Sequence, residues 1–327
     1  MPQDSALGLP PQAVWAVVLG IGLILGSFLN VVIYRLPLME GYWREIVPLV
    51  DLRVLNPHPV CVGDHTVAVP LPMHSRFNLA WPPSSCTTCG NEIAWFDNIP
   101  VVSWVLLGGR CRSCRQPISG RYPLVEAITG ALFLGAYLVF GLNWLFVGSC
   151  ILSAALVVCF WIDLDYMILP DSVTLPLIWT GLLFHAARSA LAHSSGGGSL
   201  LWPSPAGAIL GAATGYVIFR AIETASALWL GRAGMGRGDA KLAAMMGAWL
   251  GPALLGVGLF AGFALGSLTG IVVEAARRRW NPLAALSAIF RHETRPFPFG
   301  PSLALGGAVA MFGGEHLVAW YLGLLRG

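Results

Sequence analysis

The stretch Gly234-Met235-Gly236-Arg237-Gly238-Asp239-Ala240-Lys241 lies between two apolar segments, residues 205–230 and 240–251, and sets one carboxylate behind two nearby glycines. A carboxylate this close to hydrocarbon is costly and marks a functional site by default. Gly236 and Gly238 carry no side chains, so another backbone can approach closely, or the chain can take a positive φ. Asp is also a preferred helix N-cap, and Asp239 can equally cap a helix beginning at Ala240. Both readings stand on local grounds. A second acidic cluster far upstream tips the balance towards function.

Around this stretch the chain is 56% hydrophobic and only 11% charged over 327 residues, the composition of a polytopic membrane protein. A spanning helix needs about 20 mostly apolar residues. That rule predicts an all-α polytopic membrane protein with about eight transmembrane helices, at roughly 13–33, 124–141, 144–162, 172–191, 205–230, 240–251, 253–274 and 301–325. Gly251-Pro252 reads as the tight turn between the sixth and seventh. Placing 34–123 in the cytoplasm also puts Arg232, Arg237, Lys241, Arg277, Arg278, Arg279, Arg291 and Arg295 there. Only Arg188 and Arg326 fall near the opposite face, as the positive-inside rule requires. The first span lacks a basic flank before it and is followed by Arg35, so it reads as a retained helix and not a cleaved signal. The net charge of +3 reflects this topology and points to no nucleic acid.

Three blocks follow: a first transmembrane helix (1–37), a cytoplasmic loop (38–123) and a transmembrane core (124–327). The first helix ends with Gly26, Ser27 and Asn30 able to share one face, where small residues permit close packing and Asn30 can bond a neighbour; a ligand contact is the other reading. Residues 38–85 are polar and proline-rich, with His58, His65 and His74 scattered at no metal-binding spacing, and read as a loop with a surface role for the histidines. Cys86-x-x-Cys89 and Cys111-x-x-Cys114 come next, separated by 21 residues. Two such pairs predict a structural zinc site, each pair forming one knuckle and the four thiolates closing a tetrahedron. Redox-active pairs are the rival, weakened by the absence of a βαβ context and by the duplication. Cys150 and Cys159 lie inside a span and read as small hydrophobes. Trp104, Leu106 and Leu107 between the knuckles either pack on the zinc core or lie at the membrane interface. Glu126, just inside the second span, suits a helix start, where the dipole favours an acid.

The third span ends Asp163-Leu164-Asp165, with Pro170-Asp171 opening the fourth. Residues two apart on a helix point to different faces, so one of Asp163 and Asp165 faces the bundle, and Asp163, on the membrane side, is the choice. Ser194–Ser199 reads as a flexible external linker. The topology sets Asp163 and Asp239 at one depth, on the cytoplasmic ends of different helices. Two aspartates sharing a proton form an acid–base pair: the ionised one activates water, the protonated one polarises a carbonyl. The glycines beside Asp239 suit an extended peptide as substrate.

At these residues the chain resembles the type IV prepilin peptidases, the Gly-x-Gly-Asp membrane aspartyl peptidases. The resemblance runs through Gly26-Ser27-Phe28-Leu29-Asn30-Val31, Arg35-Leu36-Pro37, Arg76-Phe77-Asn78-Leu79, the four cysteines and Ile118–Glu126. It continues through Asp163-Leu164-Asp165, Leu169-Pro170-Asp171 and Gly236–Leu242. It implies a bifunctional bacterial inner-membrane enzyme with its active site at the cytoplasmic face. Such enzymes cut the basic leader from type IV prepilins and type II secretion pseudopilins after a glycine. They then methylate the new N-terminal residue, typically phenylalanine, with S-adenosylmethionine. The resemblance carries the catalytic aspartates onto Asp163 and Asp239 and ties the cysteine loop to methylation. Gly26, Ser27, Asn30, Gly109 and Glu126 are the candidates for the methyl-transfer side.

Two rivals come from other classes. A proton-coupled transporter with Asp163 and Asp239 as relays predicts acids near the bilayer midplane and broken helices in matching halves, whereas these acids sit at one boundary and no repeat is visible. A zinc-loop assembly factor without catalysis predicts that loss of Asp163 leaves leader processing intact.

Overall fold

A computed structural model of the chain describes residues 10–41, 60–62, 65–67, 78–86, 88–192, 203–231, 235–277 and 297–326. The expected linker Ser194–Ser199, His58, His74, Arg76, Phe77, Gly234 and the basic residues Arg232, Arg278, Arg279, Arg291 and Arg295 lie outside these residues.

The long helices are α1 (Pro11–Met39), α3 (Arg121–Phe140), α4 (Trp144–Tyr166), α5 (Asp171–Ala192), α6 (Pro205–Leu230), α7 (Arg237–Arg277) and α8 (Gly300–Arg326). The five-residue α2 (Val102–Leu106) and a 3₁₀ turn at Trp95–Asn98 lie between α1 and α3. A two-stranded antiparallel hairpin, β1 (Val60–Val62) and β2 (His65–Val67), adds local structure to a stretch expected to be plain loop.

Residue chemistry sets the helix ends. Asn143 caps α4 by accepting from Phe146 N, and Ser204 caps α6 by accepting from Gly207 N with Pro205 at the first position. Inside α7, Gly251 has φ 71° and ψ 176°, so the 41-residue helix is two arms meeting at Gly251-Pro252. The expected turn therefore exists, and the eight expected spans correspond to eight helical arms. By length and composition alone, six described helices can cross a membrane. The difference has two sources. The bent α7 counts once, and α5, carrying Asp171, His185 and Arg188, is long enough but less apolar.

The described residues form two compact units, one within Gln3–Leu134 and the other within Gly135–Gly327. In the first, α1 and α3 meet through glycine. A methyl group on Gly22 would stand 2.8 Å from Gly130 Cα, and one on Gly26 would stand 2.7 Å from Glu126 Cα. Without a hydrophobic drive between helices in lipid, such backbone approach is how spans associate. In the second unit α6 and α8 pack along α7. Trp249 is fully buried there; its indole N–H donates to Leu177 O at 2.9 Å, and its own carbonyl lies 3.0 Å from His185 Nε2. Elsewhere in this unit Phe219 stacks on Phe263 with ring centroids 5.7 Å apart, and Phe299 tilts against Phe263 at 5.4 Å. Phe299 immediately precedes α8, so this cluster anchors the start of that helix.

Candidate active site

Asp163 lies in the last turn of α4, which ends at Met167 in a left-handed conformation (φ 54°). Its carboxylate is buried, and Oδ2 accepts the backbone N–H of Gly300 at 2.9 Å. A methyl group on Gly300 would fall 2.6 Å from that same oxygen, so only glycine fits. Asp165, two residues on, is exposed, as the spacing predicts.

Asp239 is buried as well. The capping expectation is corrected here, because α7 begins at Arg237 and Asp239 is its third residue. Its Oδ2 reaches back to accept Gly236 N–H at 3.1 Å, the carboxylate half of a capping box. The propensity penalty of Gly238 hid this early start from the sequence. Gly238 packs against Leu169, in the link between α4 and α5, where an added methyl would stand 3.0 Å from the leucine Cβ. Asp163 and Asp239 interact electrostatically, and they arrive from different helices. Asp171, first in α5, forms an ion pair with Lys241. A carboxylate offers about four lone-pair directions, so one backbone bond each leaves sites that accept from water, while a protonated member of the pair can donate to a carbonyl.

The cysteines form a separate centre in the first unit. Cys86 N donates to Asn91 O and Gly90 N to Cys86 O, both at 2.9 Å. The second knuckle repeats the pattern, Cys111 N to Gln116 O at 2.9 Å and Arg115 N to Cys111 O at 3.0 Å. The residue after each second cysteine has positive φ, Gly90 at 72° and Arg115 at 60°. All four thiol sulfurs lie within 4.8 Å of one another. Burial raises the Cys86 thiol pKa, but bonds from the Cys89 and Thr88 backbone and from neighbouring thiols outweigh it and bring it down to about 6. At Cys114 the Gln116 backbone bond lowers the pKa, yet burial and the neighbouring sulfurs win and push it up to about 11. The cluster thus favours a thiolate at Cys86 and disfavours one at Cys114.

Comparison with known proteins decides what these two centres belong to. Residues 21–140 match the bacterial peptidase A24 N-terminal domain, and residues 150–272 match the type IV leader peptidase family. A prepilin leader peptidase/N-methyltransferase of Aeromonas hydrophila is 37% identical over 98% of this chain and 97% of its own. Relatives of the same description from Pectobacterium carotovorum subsp. carotovorum (39% identical, 91% of this chain and 92% of the relative) and Neisseria gonorrhoeae (37%, 92% of each) agree. The chain belongs to the prepilin leader peptidase/N-methyltransferase family. No solved structure gives a match. Membership of this peptidase family leaves the proton-coupled transporter reading without support.

In this leader peptidase/N-methyltransferase relative the cysteine geometry fits zinc. A tetrahedral ion with bonds of about 2.3 Å spaces its sulfurs about 3.8 Å apart. Cys86 Sγ and Cys114 Sγ are 3.8 Å apart. Cys150 and Cys159 lie on α4, outside the cluster.

The residues singled out for methyl transfer are placed as follows. Gly26 is filled by the backbone of Glu126, and the Ser27 hydroxyl bonds the Glu126 carboxylate. Asn30 Nδ2 donates to Tyr122 O at 3.1 Å. Glu126 Oε2 accepts Val101 N–H at 2.7 Å, holding Val101 at φ 59°, so it does more than answer the helix dipole. Gly109 lies under the Trp104 ring, whose N–H donates to Ile118 O at 3.1 Å. Four of the five thus share one seam between α1, α3 and the cysteine module, while Gly109 sits inside the module.

Two contributors escaped the sequence reading. Gly300 had a faint marker in Phe299-Gly300-Pro301, a Gly-Pro step at a helix start. Arg35, read as a topology mark and as part of the resemblance but given no contact, is buried and donates to Asn78 O at 2.9 Å and Pro82 O at 2.6 Å, tying the cysteine module to α1.

Proposed function

We propose that this chain cleaves the leader peptide of type IV prepilins and type II secretion pseudopilins after a glycine, and then N-methylates the new N-terminus. The reaction belongs at the cytoplasmic face of a bacterial inner membrane. The observation supporting the peptidase half is the buried pair Asp163 and Asp239, each carboxylate oriented by a glycine backbone N–H.

In this reading one aspartate is ionised and the other protonated. The ionised carboxylate takes a proton from water as its oxygen attacks the scissile carbonyl, and the protonated one gives its proton to the carbonyl oxygen. Collapse of the tetrahedral diol breaks the C–N bond, the leaving amine takes a proton, and the pair is restored with one proton between its members. The backbone bonds from Gly300 and Gly236 hold both carboxylates in attack geometry, where positioning contributes much of the rate.

Zinc in the cluster of Cys86, Cys89, Cys111 and Cys114 serves structure, since a four-thiolate site leaves no open position. S-adenosylmethionine supplies an electrophilic methyl group to the neutral amine. Gly26, Asn30 and Gly109 are spent on packing and backbone bonds, so as a set they do not fit direct contact with that donor. Gly26, Ser27, Asn30, Glu126 and Gly109 serve methylation as positioning residues that brace the cysteine module and fasten it to α1 and α3. The division into a first helix (1–37), a methyltransferase-associated loop (38–123) and a peptidase core (124–327) belongs to the same proposal.

The test is incubation of the purified enzyme with a prepilin in detergent, reading the product N-terminus by mass spectrometry. A product cut after glycine and heavier by one methyl group when S-adenosylmethionine is present is expected; an uncut prepilin contradicts the reading.

A further inference from the structure

The cysteine module carries an apolar surface that neither zinc binding nor catalysis uses. Trp95 is 81% exposed, Leu106 80% and Val105 62%, and Phe96, Ile99 and Val102 are exposed beside them in sequence. All six fall in one stretch of twelve residues formed by the 3₁₀ turn and α2. The other reading of this region, packing on the zinc core, is taken by Trp104, which turns inward against Gly109. A patch of this kind on a soluble loop would be an aggregation hazard, so something covers it.

Three observations identify what covers it. First, the segment is pinned at the end of a membrane helix: Val101 N–H is held by Glu126 Oε2. Glu126 is five residues into α3, about 7.5 Å inside its start at 1.5 Å per residue. Second, α3 is itself apolar and outward-facing at this level, with Leu124 and Ile128 exposed on either side of Glu126. Third, Arg112 sits with its guanidinium 5.3 Å from the Phe96 ring centroid and its fork on Asp97, so a cation borders the apolar surface. Aromatic and aliphatic side chains with arginine at the rim are the composition of segments lying in the headgroup–acyl boundary.

We propose that Trp95–Leu106 is an interfacial membrane anchor, laying Trp95, Ile99, Val102, Val105 and Leu106 into the lipid surface next to α3. The anchor holds the cysteine module against the bilayer surface beside the start of α3. This inference rests on reading α1 and α3 as membrane-spanning.

The experiment places p-benzoylphenylalanine singly at positions 95, 106, 92 and 24 of the full chain in nanodiscs of phosphatidylethanolamine and phosphatidylglycerol. After irradiation, phospholipid adducts are counted by mass spectrometry. Position 24 replaces Ile24, exposed in the middle of α1, and position 92 replaces Glu92, exposed on the first knuckle. The proposal expects lipid adducts at 95 and 106 with yields like that at 24, and about tenfold fewer at 92. Adducts at 24 without adducts at 95 and 106 overturn the anchor while leaving the spans standing. Crosslinks from 106 to a second copy of the chain also overturn it, in favour of a protein interface. Absence of lipid adducts at 24 as well would remove the membrane-spanning reading and the anchor together.

Discussion

Gly300, the first residue of α8, donates its backbone N–H to Asp163 Oδ2 at 2.9 Å across 137 residues of sequence. The bond sets a helix N-terminus against one member of the aspartate pair, and the helix dipole favours negative charge there. It leaves no room for a side chain, since a methyl carbon at Gly300 would stand 2.6 Å from the carboxylate oxygen.

Gly300→Ala should therefore displace Asp163 while leaving the helices assembled. Misplacing a catalytic group by about 1 Å can cost about a hundredfold. We expect a fall of that order in kcat for leader cleavage, with KM changed little and with unchanged detergent-phase gel filtration. Cleavage at the unaltered rate would remove Gly300 from the positioning of Asp163.

Much of this was legible in the chain, and the part that was not shares one physical feature. The cysteine pairs, the Gly251-Pro252 turn and the burial of Asp163 over Asp165 are local patterns carried by side-chain chemistry and spacing. The long-range hydrogen bonds that the sequence did not show tie Asp163, Arg35 and Glu126 to backbone groups of Gly300, Asn78, Pro82 and Val101. Every residue type offers such groups, so no residue type marks them. The start of α7 was placed late for a related reason. Gly236 and Gly238 are poor helix formers, and only the reach of Asp239 back to Gly236 shows that the helix has already begun.

One zinc per chain is expected in gently purified protein. Thiolates bind the ion, and the folded Cys86 thiol titrates at about 6, below its ordinary value of 9.0. A depressed pKa contributes stability that is present above the unfolded value and lost as pH falls through the folded one. Zinc retention should thus fall as pH falls, because Cys86, Cys89, Cys111 and Cys114 all bind as thiolates and protons compete for each of them. Metal analysis after dialysis across pH 5 to 8 checks this, and retention independent of pH would contradict it.

The α1–α3 contact should be sensitive to bulk. Overpacking a close contact typically costs about 1–3 kcal/mol. Gly26→Leu should lower the thermal midpoint and impair methylation, because it parts α1 from Glu126. A fluorescence-detected stability scan unchanged from the parent would show that the contact is not needed.

Cleavage and methylation should separate. Given a pilin already cut, with a free N-terminal phenylalanine, the Asp163→Asn enzyme should still methylate it. A Cys86→Ser, Cys111→Ser enzyme should not. The α-amino group has a pKa of about 7.7–8.0, so a good fraction is already neutral near pH 7.5, and methyl transfer calls for orientation and not for a water-activating pair. Loss of methylation in a folded Asp163→Asn enzyme that binds the cut pilin would mean that one site serves both steps.

The central claim is that Asp163 and Asp239 act together on the scissile peptide bond. Its most direct test is single-turnover leader cleavage by Asp163→Asn, Asp239→Asn and Asp165→Asn enzymes, each shown to fold, with the product N-terminus read by mass spectrometry. The account predicts no cut product from the first two and substantial cleavage by the third, whose side chain is exposed. Cleavage at the parent rate by either Asp163→Asn or Asp239→Asn would contradict it.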